Sequence, residues 1–351
     1  MKALATKYRP ATFDDVVEQG SIKIILQEQI DTNTVKNGYL FVGSAGTGKT
    51  TCARIFAKEI NKGQGTPIEM DAASNNSVED IRNIISQAQT KSLDSEYKIF
   101  IIDEAHSLSN SAWQAMLKTL EEPPAKSIFI FCTTDPQKIP KTILSRVQRY
   151  DFQRISQQGI VDRLKTILYQ ELNIEDGVDF LTKLPIEYNS ALEYIAKIAD
   201  GGMRDAITLM DKCLSYSTEL TVENVVKALG VANYDVMFSL LDNLIEHKTD
   251  VVLGHIDNIY KSGIDMKQFI RTFTEFVLDV CKYGLTKDFG LLKIPNIYQS
   301  ELDSYGEYEY LVAKSLLDSL IELNSEIRWD TNPKYSIEAK LFIFSEANNR
   351  G

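Results

Sequence analysis

Two short stretches hold the residues best suited to chemistry, and both suit phosphate. Gly43-Ser44-Ala45-Gly46-Thr47-Gly48-Lys49-Thr50, continued by Thr51, has the G-x-x-x-x-G-K-[ST] spacing of a loop that cradles a polyphosphate. Its glycines accept positive φ at little cost, so the backbone can wrap an anion closely. The N–H groups of the helix start that follows point at that anion, and the helix dipole favours it. Lys49, expected on an exposed turn rather than in the core, adds a point charge at the β/γ-phosphates, and the Thr50 hydroxyl suits Mg2+. The bland alternative is a glycine-rich turn that only caps a helix. The second stretch is Asp103-Glu104, at the end of the apolar run Ile99-Phe100-Ile101-Ile102. There Asp103 would hold Mg2+ through water, and Glu104 would orient or deprotonate the attacking water. Alone, the pair would read as a solvated strand end. Beside a phosphate loop it becomes the second half of a hydrolysing site. His106, completing Asp-Glu-Ala-His, is read as structural.

The elements that must position these groups follow from periodicity. Residues 39–42 read as a buried strand running into the loop. Cys52, Ala53, Phe56, Ala57 and Ile60 then repeat at helical spacing. Further strands are expected at 68–71, 98–104, 127–132 and 148–152. Between them, Ser77-Val78-Glu79-Asp80 is a capping box opening a helix with Ile81, Ile84, Ile85 and Ala88 on one face. A helix over 110–121 stops at Pro123-Pro124. Alternating strands and helices predict a parallel α/β sheet with helices on both faces, with ligands at the strands' C-terminal ends. Ahead of it, Tyr8-Arg9-Pro10 is expected to be extended, because Pro10 keeps Arg9 out of the helical region, and to lead into a helix over 21–29. From about 156 the strand signals vanish. Helices are expected at 158–171, 190–199, 203–215 and 222–229, then amphipathic stretches such as 236–246 and 311–323.

At 351 residues and 44% hydrophobic, the chain is long enough for two or three domains. No apolar run approaches the ~18 residues of a membrane span, so no membrane partner is expected. No hydrophobic signal core opens the chain, so a cytoplasmic protein is expected. Cys52, Cys132, Cys213 and Cys281 are scattered, which suggests reduced thiols and offers neither a zinc spacing nor a disulfide framework. The net charge of −11 is unevenly spread. Residues 1–150 hold 18 Lys and Arg against 17 Asp and Glu, and residues 151–351 hold 20 against 32. Any contact to a nucleic-acid backbone is therefore expected from the first half.

Several blocks occur together and in order: Lys7-Tyr8-Arg9-Pro10, Phe13-Asp14-Asp15-Val16-Val17, Asp71-Ala72-Ala73-Ser74, Leu117-Lys118-Thr119-Leu120-Glu121-Glu122-Pro123-Pro124, Thr133-Thr134-Asp135-Pro136-Gln137-Lys138-Ile139-Pro140 and Ile143-Leu144-Ser145-Arg146. With them the chain resembles the AAA+ ATPase subunits of bacterial sliding-clamp loaders, the tau/gamma subunits of DNA polymerase III. It is more distantly similar to small subunits of replication factor C. The resemblance is dense over 7–215, and it extends to the family's collar through Asn332-Pro333 and Glu338. It implies an AAA+ ATPase domain at 1–155, a small all-α lid at 156–218 and an all-α collar at 219–351. It implies ATP and Mg2+ as cofactors. The implied partners are this chain and other loader subunits in a pentamer, a ring-shaped sliding clamp, and primer–template DNA held by its backbone.

Residue by residue, the resemblance implies that Tyr8, Arg9, Pro10 and Val17 line an adenine pocket. Thr134 stands where the family's first sensor touches the γ-phosphate. Arg146 matches the arginine finger that reaches the ATP of a neighbouring subunit. Arg204 in Gly202-Met203-Arg204-Asp205 matches the second sensor, on the lid. Physics adds to the last: a cation in the first turn of a helix opposes the dipole by about 0.3–1 kcal/mol, so an anionic ligand would explain Arg204 there. A local pair with Asp200 or Asp205 is the alternative. For Arg146 the alternative is an ordinary surface arginine, and for Tyr8 a core aromatic. Asn75, Asn76 and Ser77 precede a capped helix whose first N–H groups are expected to be unpaired and outward, a natural phosphate site. In the resembling family such helix starts follow the DNA backbone. Lys91, near the far end of that helix, is a further DNA candidate, and a plain helix cap is the alternative.

The chain departs from the family's pattern in four places. Asn61-Lys62-Gly63-Gln64-Gly65-Thr66 stands where the family carries a four-cysteine zinc module, so no zinc is expected. Glu18 replaces the glycine of Val-Val-Gly-Gln. Val147 replaces the cysteine of Ser-Arg-Cys, which should leave Arg146 in place. No counterpart of the long tau-type extension is seen, which would fit a compact, phage-encoded form. Two other functions compete. A Holliday-junction helicase motor should carry a basic DNA-binding domain, whereas residues 220–351 are acidic. A non-enzymatic scaffold subunit is opposed by intact Lys49, Thr50, Asp103 and Glu104.

Overall fold

A computed structural model describes residues 2–92, 94–171, 186–217, 219–229 and 234–348. The chain divides into two compact units, Met1–Pro185 with Ile195–Asp211, and Ile186–Tyr194 with Lys212–Gly351.

The first unit is built on five strands, β1 (Gly38–Val42), β2 (Ile68–Asp71), β3 (Lys98–Asp103), β4 (Ser127–Thr133) and β5 (Gln148–Asp151). They form one parallel sheet in the order β2-β3-β4-β1-β5, with Phe41 opposite Cys132 and Ile102 opposite Phe131. Central strands covered on both faces read as near-continuous apolar runs, and β1 and β4 are buried throughout. The period-2 alternation sends Tyr39, Phe41, Ile99, Ile101, Ile128 and Ile130 to one core and Leu40, Phe100, Ile102, Phe129 and Phe131 to the other.

Helices α2 (Gly20–Asp31) and α3 (Lys49–Ile60) carry residues of the first core, including Leu26, Cys52 and Phe56. Helices α4 (Val78–Ala88) and α5 (Asn110–Glu121) fill the second through Ile81, Ile84, Trp113 and Met116. The expected capping box is present on α4: Asp80 N donates to Ser77 Oγ at 3.2 Å, and Ser77 N to the Asp80 carboxylate at 3.1 Å. Two differences appear at the start. Residues Leu4–Lys7 form a single helical turn, α1, and Tyr8 closes it with its N–H on Leu4 O at 2.9 Å, so Tyr8 is not extended. Helix α3 begins at Lys49 itself, three residues ahead of Cys52, the first residue of the apolar repeat. The short α6 (Lys141–Leu144) lies between β4 and β5, and β5 is followed by α7 (Gln157–Glu171), α8 (Ile186–Ile198) and α9 (Met203–Tyr216).

The second unit continues with α10 (Val222–Leu229), α11 (Tyr234–Ile245), α12 (Thr249–Lys261), α13 (Met266–Thr286), α14 (Gln299–Ser304), α15 (Glu307–Glu326) and α16 (Pro333–Asn348). Its described secondary structure is helical. An aromatic cluster anchors it, with Phe238 edge-on to Phe276 at 4.8 Å and stacked on Tyr298 at 5.4 Å. Asp279, 2% exposed, is satisfied by Lys282 Nζ at 2.9 Å and by the backbone N–H groups of Lys293 and Ile294.

Candidate active site

The phosphate loop joins the C-terminal end of β1 to the N-terminus of α3. Gly43 at φ 155° sits where a Cβ would lie 2.6 Å from Phe152 O, and Gly46 at φ 72° brings its backbone close to Gly202. Thr47 Oγ1 donates to Ser44 O at 2.9 Å, tightening the loop on itself. Lys49 is not on an exposed turn, as a glycine-rich loop had suggested. It is 6% exposed, the first residue of α3, folded back so that Nζ donates to Gly43 O and Ser44 O, each at 2.8 Å. Burial lowers its pKa, opposed by nearby acidic groups that include Glu104 and Asp103.

The sheet order sets β3 one strand away from β4, which in turn pairs with β1, so the strand ends converge. Thr50 Oγ1 donates to Asp103 Oδ2 at 2.8 Å, bringing together the two stretches that the sequence marked for chemistry. Glu104 adopts the left-handed conformation at φ 46°, with its N–H on Asp103 Oδ1 at 3.0 Å. That backbone costs of order 1–3 kcal/mol in a non-glycine residue and concentrates at functional sites. Thr134 Oγ1 donates to Glu104 Oε2 at 3.2 Å. His106, read from sequence as structural, touches the same carboxylate: Nδ1 lies 3.3 Å from Glu104 Oε2 and 3.2 Å from Thr133 Oγ1. The hydroxyl of Thr50 and the carboxylate of Asp103 are hard oxygen donors, the type Mg2+ selects. Among the described residues no group of three or more His, Cys, Asp or Glu side chains is placed to hold a metal.

A cavity of about 470 Å³ opens on these groups, a size suited to a nucleotide. Tyr8, Arg9, Pro10 and Val17 line it, with the loop from Ala45 to Thr51, Asp103, Glu104 and Arg204. Tyr8 is fixed by its hydroxyl on Glu171 Oε1 at 2.6 Å, an atom that also accepts from Lys7 Nζ at 2.6 Å. Arg204 is exposed at the start of α9; Asp200 pairs with Arg154 instead, and among the described residues no carboxylate pairs with Arg204. The N–H of its neighbour Met203 reaches Gly46 O at 3.0 Å, which fixes α9 against the loop. Sequence reasoning missed Arg163, Ile155 and Met203 in this lining. Arg163 donates from Nη2 to Tyr8 O at 3.2 Å, and nothing in its spacing on α7 marks it apart from a surface arginine.

Some expected site residues lie elsewhere. Arg146 is not in the cavity lining; its guanidinium is held by Glu121, by Thr142 O at 2.6 Å and by Ser145 Oγ at 3.1 Å. Asn75, Asn76 and Ser77 are exposed before α4, but the first N–H groups there are not all unpaired. The capping box takes those of Ser77 and Asp80, and Glu79 and Asp80 place two carboxylates in the first turn. Lys91 is exposed three residues beyond the end of α4. Glu18 keeps a positive φ of 56°, so the glycine-like backbone survives the replacement.

A family model for the DNA polymerase III delta subunit matches residues 60–156, and one for domain III of the DNA polymerase III gamma and tau subunits matches residues 220–305. The tau subunit of Bacillus subtilis DNA polymerase III is 35% identical across 99% of this chain and 64% of its own length. That of Escherichia coli is 33% identical across 77% of this chain and 43% of its own length. The chain spans about half the length of the curated relatives it matches. Among solved structures, the Holliday-junction branch-migration motor RuvB of Thermotoga maritima superimposes with a TM-score of 0.51 at 19% identity, over 74% of this chain and 86% of that one. At that identity the likeness concerns the fold alone.

Proposed function

Since this chain belongs to the gamma/tau family of DNA polymerase III subunits, we propose that it is the ATPase motor subunit of a sliding-clamp loader. The observation that carries the reading is the Thr50–Asp103 hydrogen bond of 2.8 Å in the lining of the cavity. It joins the residue types that hold Mg2+ in phosphate-loop enzymes to the loop that holds polyphosphate. The loop backbone and Lys49 bind and orient the phosphates. Thr50 and Asp103 hold Mg2+, which when bound neutralises charge on the phosphate oxygens. Glu104, held by Thr134, orients the attacking water, and Arg204 offers a cation from the start of α9. Arg146 acts on the nucleotide of a neighbouring subunit, a role supported by its place outside the lining of its own cavity.

The same reading assigns residues 1–155 to the ATPase domain, 156–218 to a lid and 219–351 to a collar that joins subunits. Its partners are further loader subunits in a pentamer, a sliding clamp, and primer–template DNA followed along its backbone by Asn75, Asn76, Ser77 and Lys91. Zinc has no part in it. Among the described residues no helix is long and apolar enough to cross a membrane, and we place the protein in the cytoplasm. The test is steady-state ATP hydrolysis with a sliding clamp, with primer–template DNA, and with both. Turnover should rise only with both together, and indifference to that combination would remove the clamp-loader reading.

A further inference from the structure

Glu18 and Gln19 are consecutive non-glycine residues in the left-handed region, at φ 56° and 53°. Such backbone persists where surrounding bonds over-determine it. Here those bonds run to one place, the connection between β5 and α7. Gln19 Nε2 donates to Gln153 O at 2.7 Å, and Gln153 N donates back to Gln19 Oε1 at 3.2 Å. The Glu18 carboxylate accepts from Ser156 N at 3.2 Å through each oxygen and from Ser156 Oγ at 2.5 Å.

Ser156 immediately precedes α7, and its Oγ accepts from Gly159 N at 3.0 Å. A capping box would send a carboxylate back from the third helical residue to the cap's own N–H. That third residue is Gly159, which has no side chain. Glu18, 138 positions away, supplies the carboxylate instead. The two are complementary, since a Cβ on Gly159 would lie 2.7 Å from Glu18 Oε1. The same Cβ would meet Val17 Cγ1 at 3.2 Å and Ile155 Cγ2 at 3.3 Å, and both residues line the cavity. From there Ile155 N donates to Gly201 O at 3.2 Å and Met203 N to Gly46 O at 3.0 Å, so the chain of bonds ends on the phosphate loop.

We propose that Glu18 is a positioning residue for the nucleotide: it completes the cap of α7 from a distance and so holds the Val17–Ile155 wall ready for the ligand. The inference rests on the nucleotide reading of the cavity. When the cap is broken the receptive wall is less populated, and the apparent dissociation constant rises by the same factor. Losing a cap typically changes such a population roughly three- to thirtyfold.

The experiment measures binding of a fluorescent ATP analogue with Mg2+ to the full chain, with hydrolysis at saturating ATP and melting temperature alongside. Glu18→Ala should weaken binding roughly three- to thirtyfold with the saturated rate within about twofold of wild type. Gly159→Ala should weaken binding with Glu18 present, and by less in the Glu18→Ala background, because the displaced carboxylate is then gone. Unchanged affinity in Glu18→Ala, whatever its melting temperature, would overturn the proposal, as would an equal effect of Gly159→Ala in both backgrounds. Should Glu18→Ala fail to fold, Glu18→Gln and Gly159→Ala decide on affinity alone. A wild-type chain that binds no MgATP would defeat the nucleotide reading itself, whereas equal binding by wild type and variants defeats only the role of Glu18.

Discussion

Replacing Lys49 by alanine separates what this side chain does for a ligand from what it does for the fold. The residue is only 6% exposed, so its ammonium acts in a medium closer to an effective dielectric constant of about 20 than to water. A unit charge about 4 Å from a phosphate oxygen then contributes about 4 kcal/mol, or roughly 10³ in affinity. For the fold the sign differs. Burial holds the Lys49 pKa below 10.5, so between that lowered value and 10.5 the unfolded chain binds more protons than the folded one. Lys49 therefore destabilises the folded chain at neutral pH, and the penalty fades as pH rises to 10.5. Lys49→Ala removes this penalty together with the bonds to Gly43 O and Ser44 O, so opposing terms nearly cancel. The melting temperature should move by no more than about 4 °C. Calorimetric titration with MgATP, steady-state hydrolysis and melting curves at neutral pH and near pH 10 read all three quantities. Wild-type turnover in the variant, or a variant that gains stability relative to wild type as pH rises, would refute the reasoning.

Arg146→Ala should keep ATP binding and lose hydrolysis, a loss of up to about 10³–10⁵ by analogy with arginines acting in trans. Mixing it with Glu104→Gln subunits should restore part of the activity at interfaces pairing an intact Arg146 with an intact Glu104, and mixed oligomers that stay inactive would end the assignment. Metal analysis of purified protein should give well under one zinc per chain, and stoichiometric zinc surviving chelation would reveal a site that was overlooked. Asn76→Glu adds a third carboxylate beside Glu79 and Asp80 at the start of α4. It should lower DNA binding by the assembled loader with ATP binding unchanged, and equal affinity across a salt series would move the contact elsewhere.

The central strands β1, β3 and β4 were legible because each is a largely apolar run lying between two layers of helices, and the edge strand β2 and helix α5 also fall on the expected residues. The Thr50–Asp103 pair was legible for a related reason: parallel topology brings the ends of β1 and β3 to one edge. What escaped depends on how side chains fold back or meet once the loops and strands are in place. Lys49 looked exposed because a glycine-rich turn usually is, and only the fold-back of its side chain onto Gly43 O and Ser44 O buries it. His106 looked incidental because Thr133 meets it only when β3 and β4 pair. Glu18 read as a defect in a family pattern, while its partners, Ser156 and Gly159, lie on the far side of the sheet sequence. Arg146 was placed by resemblance alone, and no local pattern pointed to Glu121.

That last pairing bears on how a subunit behaves alone. The Arg146 side chain is 30% exposed and that of Glu121 50%, so their ion pair is an open one, worth about 0–1 kcal/mol. Releasing it shifts an association equilibrium by no more than roughly fivefold. The contact is thus too weak to act as a lock, yet three acceptors set the plane of the guanidinium before any neighbour arrives. On the proposed in-trans reading of Arg146, an isolated subunit would keep its arginine parked and oriented, and docking would have only to swap one carboxylate for another anion.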